Sequence, residues 1–504
     1  MKYLLGADIG TSSMKTSVFT LEGEEVACST IEYGLQYVKC VGVEQNPEDW
    51  WQAFRFTLAD IREKSEVDTR DIIGIGVSSQ SWAVIPVDSK GTVLSPAMIW
   101  MDRRATEEAE WLGTRIGDGI REIRVDPSYI VPKVLWLKRH AFDIYDGARH
   151  LLQVSGYMNY RLSGVVATDV SQEDPLQIYI KNGSQFASIE DYYDSIGVDQ
   201  TKIPSSRFSH EVIGEVCRNA AEETGLRYGT PIIAGAMDTS ATALGMNITE
   251  HGQSFHVAGQ AGAIGVCSAE PRFDPRVCIH NHVISGRWLV AGVMVATGAS
   301  MRWLRDLLQH DKVGESESCS IEAFESISEG AARVPPGSRG LVFLPYMMGE
   351  RTPVWDCHAR GILFGLSLGT GREELARSIM EGTSYALRDN IEVLESLGIR
   401  IGKVVCAGGA VKSRIWNQIK ADITKKQLVS IGGDVCAARG AAMLAAKGIG
   451  LPVGFAQGQI RELESYLPND KYFERYDCLY GIYKRLYLNA RSDYEELARV
   501  ERSQ

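Results

Sequence analysis

Residues 3–19 read YLLGADIGTSSMKTSVF, a pattern that predicts a strand, a tight turn and a second strand. Apolar residues lead into Asp8, and the small polar turn GTSS precedes Lys15. Glycine lets the backbone approach a ligand, hydroxyl groups and lysine suit phosphate, and a carboxylate at a strand end suits Mg²⁺ or its waters. The stretch therefore has the residues of a nucleotide site, although an ordinary Gly/Ser hairpin at a sheet edge has the same composition.

The length and composition of the chain limit the classes of protein it can belong to. Its 504 residues exceed the size at which single cores usually stop growing, which predicts two domains. A net charge of −11 argues against a nucleic-acid partner. We see no signal peptide and no apolar run of membrane-spanning length, so no membrane association is expected. The ten cysteines form no Cys-x-x-Cys motif, which favours a reducing, cytoplasmic location.

Polar and aromatic side chains follow two predicted strands in the first half of the chain. The first strand covers residues 72–77, and the apolar run 96–100 leads into the second group. Ligands bind at the ends of strands in α/β proteins, although a surface loop with an Arg–Asp pair is the simpler interpretation of the second group. The side chains concerned are Gln80, Ser81, Trp82, Trp100 and Asp102.

The layout of residues 3–19 recurs about half a chain later, where residues 254–267 read SFHVAGQAGAIGVC. Two similar hairpins suggest two related halves that face each other across a cleft. Between them, Asp238 follows a short apolar strand, where it is either a helix N-cap or a base aimed into the cleft. The run from Val404 into Gly408 and Gly409 predicts a strand, a glycine pair and a helix start, which is a geometry that contacts nucleotides.

Six groups of residues, in this order, resemble the FGGY carbohydrate kinases of the actin, Hsp70 and hexokinase superfamily. They are DIGTSSMK (8–15), IWMDRR (99–104), AGAMD (234–238) with ALG (243–245), GERTP (349–353), GILFGL (361–366) leading to ELAR (374–377), and AGGA (407–410) with AD (421–422). GERTP is nearest to xylulokinase-like members. The resemblance implies an α/β fold of two actin-like, ribonuclease H-like domains with a deep interdomain cleft. The sugar side would be residues 1–247, the ATP side 248–490, and the C-terminal tail 491–504.

The resemblance also implies roles for individual residues, with ATP, Mg²⁺ and a small-molecule sugar as ligands. Asp238 is matched to the general base and to a Mg²⁺ ligand, and Asp8 to a carboxylate that holds Mg²⁺ through water. The residues matched to nucleotide contacts are Gly10, Thr11, Ser12, Ser13, Lys15, Gly259, Gln260, Gly408, Gly409, Ala410 and Ser413. The residues matched to sugar contacts are Gln80, Ser81, Trp82, Trp100, Asp102, Asp238 and Thr239. Relatives often form homodimers, so a homodimer is expected.

This chain departs from the family pattern at two places. Xylulokinases usually have Gln-Met-His-Gly where residues 80–83 read QSWA, and glycerol kinases usually have an Arg-Glu pair at Ser81 and Trp82. The second phosphate loop usually contains Thr, whereas residues 259–262 read GQAG. We expect phosphorylation of a ketopentose such as xylulose, with a glycerol or other polyol kinase as the alternative. A catalytically silent sugar or nucleotide sensor on the same fold is the alternative from another class.

The tripeptide His280-Asn281-His282 is the one pattern that suggests a metal other than Mg²⁺. Alternate residues of a strand share a face, so the two histidines would point the same way. Two histidines without a third ligand are more often structural, which makes a metal site the weaker interpretation.

Overall fold

The computed structural model describes residues 1–38, 41–115, 122–183, 186–308, 317–432, 436–451 and 460–502. In the first half, a mixed sheet is surrounded by helices and small accessory strands. Its strands are β1 (Tyr3–Ile9), β2 (Ser13–Thr20), β3 (Glu25–Glu32), β4 (Gln36–Val38), β5 (Gly42–Gln45), β6 (Ile72–Ser79), β7 (Ile85–Val87), β8 (Ala97–Met98), β9 (His150–Leu152), β10 (Thr168–Asp169), β11 (Ser206–Arg207), β12 (Val212–Glu215), β13 (Pro231–Ile233) and β14 (Ala236–Met237). Its helices are α1 (Pro47–Lys64), α2 (Thr106–Arg115), α3 (Ile130–His140), α4 (Phe142–Gly147), α5 (Val154–Ser163), α6 (Pro175–Gly183), α7 (Ile189–Ile196), α8 (Arg218–Thr224) and α9 (Asp238–Gly245).

The second half contains a second mixed sheet with its own helices. Its strands are β15 (Ser254–Ala258), β16 (Gly262–Ser268), β17 (Cys278–Asn281), β18 (Trp288–Met294), β19 (Val342–Leu344), β20 (Ile362–Phe364), β21 (Lys403–Ala407), β22 (Gln427–Ile431) and β23 (Glu462–Tyr466). Its helices are α10 (Thr297–Leu308), α11 (Glu317–Arg333), α12 (Arg372–Ser396), α13 (Arg414–Thr424), α14 (Cys436–Gly448) and α15 (Phe473–Arg502). Helix α15 is continuous across residues 490–491, where the sequence suggested a boundary between the ATP side and a C-terminal tail.

The two sheets share one topology, which confirms the repeat expected from residues 3–19 and 254–267. The first has the strand order β12-β13-β6-β1-β2-β3, with β14 beside β6, and the second has the order β17-β18-β16-β15-β21-β22-β23. In each, an antiparallel hairpin (β1 and β2, β15 and β16) joins a parallel pair (β1 and β6, β15 and β21). The carboxyl ends of the parallel strands therefore meet at one edge of each sheet.

Helix α14, from the second half of the chain, packs on the first sheet and on helix α9. The close approach depends on small residues. A Cβ added to Gly6 would lie 1.9 Å from the carbonyl oxygen of Ala438, and one added to Gly440 would lie 1.9 Å from the carbonyl oxygen of Ala241. The two halves are therefore joined by a helix pair as well as by the chain crossing after α9.

Within the described ranges, no helix is both long and apolar enough to cross a membrane. The cysteines whose side chains the structure describes are free thiols: Cys28, Cys217, Cys267, Cys278, Cys357, Cys406, Cys436 and Cys478.

Candidate active site

The ends of three neighbouring strands bring Asp8, Gln80 and Asp238 to one edge of the first sheet. Strands β1 and β14 both run parallel to β6, and Asp8 lies opposite Ser78 in the register. The Ser78 hydroxyl donates a 3.0 Å hydrogen bond to Asp8 Oδ1. Because parallel strands present their carboxyl ends at the same edge, residues far apart in sequence form one site here.

Asp8 and Asp238 form a pair of carboxylates in this site. Burial, followed by the negative charge of Asp238, raises the pKa of Asp8 from 3.8 to about 7. Burial also raises the pKa of Asp238, while the backbone N–H of Thr239 at 2.5 Å and its hydroxyl at 3.1 Å donate to Asp238 Oδ1 and favour the charged form. A divalent cation would relieve the repulsion between the two carboxylates, so the pair fits Mg²⁺, which proteins commonly hold through one or two carboxylates and waters.

The turn between β1 and β2 is held by side chains from elsewhere in the first half. The Tyr33 hydroxyl donates to the carbonyl oxygens of Gly10 at 2.5 Å and Ser13 at 3.0 Å. Gln45 Nε2 donates to the Thr11 carbonyl at 2.8 Å. These bonds occupy carbonyl groups of the turn, and the Gly10 N–H closes the turn with a 2.9 Å hydrogen bond to the Ser13 carbonyl. Ser12 is exposed, and Lys15 lies close enough to Asp8 to lower its pKa.

The predicted sugar-contacting segments are fixed by a buried lysine. Lys133 Nζ, on α3, donates to the carbonyl oxygens of Trp82 at 2.8 Å and Ile99 at 2.7 Å. Burial lowers the pKa of Lys133 from 10.5 to about 7. The lysine thus joins the loop after β6 to the loop that carries Trp100, whose indole N–H donates to Thr11 Oγ1 at 2.9 Å.

Two predicted sugar contacts, Gln80 and Asp102, are almost completely buried. Gln80 Nε2 donates to Gln45 Oε1 at 2.7 Å, while Gln80 Oε1 has no partner in the described structure. Asp102 is 0% exposed, and its oxygens accept hydrogen bonds from the Val43 N–H and from Arg104. These bonds hold the Asp102 carboxylate in one position within its loop. Ser81, which follows Gln80 and precedes Trp82, is half-buried.

Trp82 contacts one aromatic side chain from each half of the chain. Its ring stacks on His280 at a centroid distance of 5.5 Å and makes an edge contact with Tyr129 at 5.0 Å. Arg351, in the GERTP segment, has its Cζ atom 6.0 Å from the Trp100 ring and 5.3 Å from the Trp355 ring. Aromatic and cationic side chains from both halves therefore surround the loops that carry the predicted sugar contacts.

The second sheet presents its own turn and glycine pair at the carboxyl ends of β15 and β21. The Gly259 and Gln260 carbonyls accept hydrogen bonds from the N–H groups of Gly298 and Ala299, which fixes this exposed turn to the first turn of α10. Gly408 has φ +92°, and a Cβ there would lie 2.7 Å from the carbonyl oxygen of Ala258. The two predicted nucleotide-contacting segments are therefore adjacent.

The glycine pair leads directly into α13. Gly409 and Ala410 form a short 3-10 turn, and the Ser413 hydroxyl accepts a hydrogen bond from the Trp416 N–H as the N-cap. Ser413 Oγ also lies 3.1 Å from Ser328 Oγ. The sequence motif and the observed strand, turn and helix start agree here.

Three residues that support the site stand in stretches that look like ordinary core or strand. They are Tyr33, Gln45 and Lys133, and each bonds to partners that are distant in the chain. His280 stands out in the sequence only as part of a possible metal pattern. The metal interpretation of the His280 region finds no support, because the described residues contain no group of three or more potential His, Cys, Asp or Glu ligands. A Mg²⁺ site with two carboxylate ligands has fewer protein ligands than such a group.

Comparison with known proteins identifies the family. The N-terminal domain of the FGGY family of carbohydrate kinases matches residues 3–245, and the C-terminal domain of that family matches residues 230–449. The chain belongs to the FGGY family of carbohydrate kinases. It is thus a phosphotransferase of the kinase type, and the two-domain α/β fold expected from the sequence is confirmed.

Individual relatives of this FGGY kinase are similar over almost the whole chain. A xylulose kinase of Bacillus subtilis (strain 168) is 30% identical over 499 residues, covering 97% of this chain and 98% of the relative. The crystal structure of a xylulose kinase from Rhodospirillum rubrum superimposes with a TM-score of 0.85 at 28% identity and covers 98% of this chain and 100% of its own. A gluconokinase of Bacillus subtilis (strain 168) is 27% identical over 433 residues, 85% of this chain and 84% of the relative.

Proposed function

We propose that this FGGY kinase transfers the γ-phosphoryl group of ATP to a hydroxyl group of a ketopentose, with xylulose as the first candidate. The observation that carries the proposal is the pair of carboxylates, Asp8 and Asp238, at the converging ends of β1 and β14. Relatives named as xylulose kinases support the acceptor. A pair of acids beside a polar turn suits phosphoryl transfer, which depends mainly on positioning and on neutralising charge.

Asp238 is the proposed general base. It takes the proton of the acceptor hydroxyl while that oxygen forms a bond to the γ-phosphorus and the bond from phosphorus to the β-γ bridging oxygen of ATP breaks. The proton then resides on Asp238, and ADP leaves with the bridging oxygen. The raised pKa of Asp238 moves the carboxylate toward the range in which a general base is effective. The hydrogen bonds from Thr239 hold the carboxylate in one orientation.

Asp8, through water, and Asp238 are the proposed ligands of Mg²⁺. When bound there, the cation supplies neutralisation of the phosphate charge. In its absence burial, followed by the negative charge of Asp238, raises the pKa of Asp8 to about 7. Binding of Mg²⁺ should therefore release a proton from this pair near pH 7.

The remaining predicted residues divide between the two substrates. Phosphate groups would contact the first turn (Gly10, Thr11, Ser12, Ser13, Lys15) and the second turn (Gly259, Gln260), and the adenosine side would contact Gly408, Gly409, Ala410 and Ser413. The sugar would contact Gln80, Ser81, Trp82, Trp100, Asp102 and Thr239. Backbone N–H groups and the Gln260 amide replace the missing threonine hydroxyl. We also propose that the protein is cytoplasmic and forms a homodimer. Light scattering on the purified protein tests the homodimer.

An ADP-release assay tests the proposed function. The panel contains ketopentoses, ketohexoses, tetritols, glycerol and gluconate, the last because one relative is a gluconokinase. We expect one ketopentose to exceed the others, dependence on Mg²⁺, and loss of turnover in Asp238→Asn with ATP binding retained. A best substrate of glycerol type would favour the polyol kinase, and ATP binding without turnover on any member would favour the silent sensor. Near-normal kcat in Asp238→Asn would show that Asp238 is not the base.

A further inference from the structure

His280, on the edge strand β17 of the second sheet, is stacked on Trp82 in the loop of residues 80–83 that follows β6, here called the acceptor loop. Its ring lies 5.5 Å from the Trp82 ring with an angle of 23° between the planes, and the two side chains are 5% and 3% exposed. Burial lowers the pKa of His280 to about 3, so the ring is neutral at physiological pH. Trp82 has φ +56°, a strained conformation for a residue with a side chain, which its contacts must maintain.

Asn281, the next residue, is bonded to two further parts of the first half. Its Nδ2 group donates to the Val170 carbonyl at 2.9 Å and to Glu173 Oε2 at 3.1 Å. Its carbonyl oxygen accepts a 2.9 Å hydrogen bond from the hydroxyl of Ser240. Ser240 stands in the first turn of α9, two residues after Asp238. The strand of the second half thus contacts the helix that begins with the proposed base.

His282 completes the set of contacts. Its Nε2 donates to the carbonyl oxygen of Ile248 at 2.8 Å, and its Nδ1 accepts from the N–H of Ile284 at 3.1 Å. Ile248 lies where the chain crosses from α9 into the second half. Both ring nitrogens are occupied by these bonds, so this side chain offers no lone pair to a metal.

We propose that His280 and Asn281 are positioning residues for phosphoryl transfer, which keep the acceptor loop and the start of α9 in a fixed place relative to the phosphate-binding turn of the second half. This inference rests on the proposed function. β17 runs antiparallel to β18, and β18 runs antiparallel to β16, which leaves the second phosphate turn. A displacement of either half across this contact would therefore misalign the acceptor hydroxyl, the base and the γ-phosphate.

Substitutions at His280 test whether stacking holds the acceptor loop. We expect His280→Ala to lower kcat about 10- to 100-fold at saturating substrates, because small misplacements of reacting groups have effects of that size. The KM for ATP should stay within a factor of two of the wild-type value. His280→Phe keeps a flat ring and should retain most of kcat. The matched control is His140→Ala, since His140 stacks on Trp136 at 5.2 Å and 27° within the first half alone.

The outcomes separate positioning from other roles. Unchanged kcat in His280→Ala would overturn the proposal, and equal losses in His280→Phe and His280→Ala would assign the imidazole itself to the chemistry. A loss of similar size in His140→Ala would show that any removed stack has this effect.

Amide hydrogen exchange of Asn281→Ala provides a second readout that requires no substrate. Asn281→Ala removes the side-chain bonds to Val170 and Glu173 but keeps the carbonyl oxygen that Ser240 contacts. Exchange at residues 168–173 should therefore be faster in Asn281→Ala than in the wild type, and unchanged in His140→Ala. Unchanged exchange in Asn281→Ala would overturn the proposed contact. A wild type without turnover on any acceptor would overturn the proposed function alone, because the exchange measurement reports on the contact between the halves by itself.

Discussion

Replacing Gly440 by alanine should destabilise the protein, although alanine is the better helix former. Alanine in a helix interior gains about 1 kcal/mol over glycine from propensity alone. At Gly440, however, the new Cβ would lie 1.9 Å from the carbonyl oxygen of Ala241, where real Cβ atoms essentially never come closer than 3.0 Å. Helices α9 and α14 must therefore separate by about 1 Å, and gaps of that size forfeit a quarter to a half of the dispersion energy at the contact.

The expected cost of overpacking is about 3 kcal/mol, which leaves a net loss of about 2 kcal/mol after the gain in propensity. Thermal melts should show a Tm lowered by about 2 °C, because the entropy of unfolding grows with the length of the chain. The matched control is Gly113→Ala in α2, where a Cβ meets no atom within 4 Å, so only the gain should appear. A Gly440→Ala protein at least as stable as Gly113→Ala would refute the claim that the packing of α9 on α14 is limited by backbone contact. The kcat should also fall, because Asp238 begins α9.

Three other perturbations test the electrostatics and the supports of the site. Because the pKa of Asp8 is raised from 3.8 to about 7 in the folded protein, the free energy of unfolding should fall as pH rises through that interval. Asp8→Asn should remove this fall, raise the Tm at pH 8 and abolish turnover. Melts of the variant and the wild type with identical pH profiles would contradict this. Lys133→Met removes the hydrogen bonds of 2.8 and 2.7 Å to the carbonyl oxygens of Trp82 and Ile99. Steady-state kinetics should show a KM for the sugar raised about tenfold, with the KM for ATP unchanged. Tyr33→Phe removes a 2.5 Å hydrogen bond to the Gly10 carbonyl and should raise the KM for ATP about fivefold. A change in the KM for the sugar alone would contradict this role of Tyr33.

The parts of the site that the sequence predicts are those fixed by local backbone geometry. Hairpins at residues 3–19 and 254–267, the strand end before Asp238 and the glycine pair before α13 each follow from short-range patterns, and the structure contains all of them. Small residues and turn chemistry restrict the backbone within a few residues, so one stretch is enough to identify them.

The supports of the site depend on long-range contacts that no local pattern encodes. Lys133 stands in an apolar helical stretch, and its two carbonyl partners lie 51 and 34 residues away. His280 suggested a metal because of His282, yet its partner is a tryptophan of the other half. One local pattern is displaced by a residue. Residues 370–373 read TGRE, which predicts a capping box that starts at Thr370. In the structure the Gly371 N–H donates to Glu374 Oε2 at 3.0 Å, while the Thr370 hydroxyl accepts from the Ser367 N–H.

The packing of α14 on the first sheet has a consequence for how the protein is made. Strands β1 and β6 are among the first to leave the ribosome, but the helix that covers their glycine-rich face is encoded some way beyond residue 430. Domains usually fold as units during synthesis, starting from the N-terminus. In this protein the glycine-rich face of the first sheet stays exposed until most of the second half has left the ribosome. A fragment ending at residue 247 should accordingly be prone to aggregation, and should be rescued by supplying residues 248–504 as a separate chain.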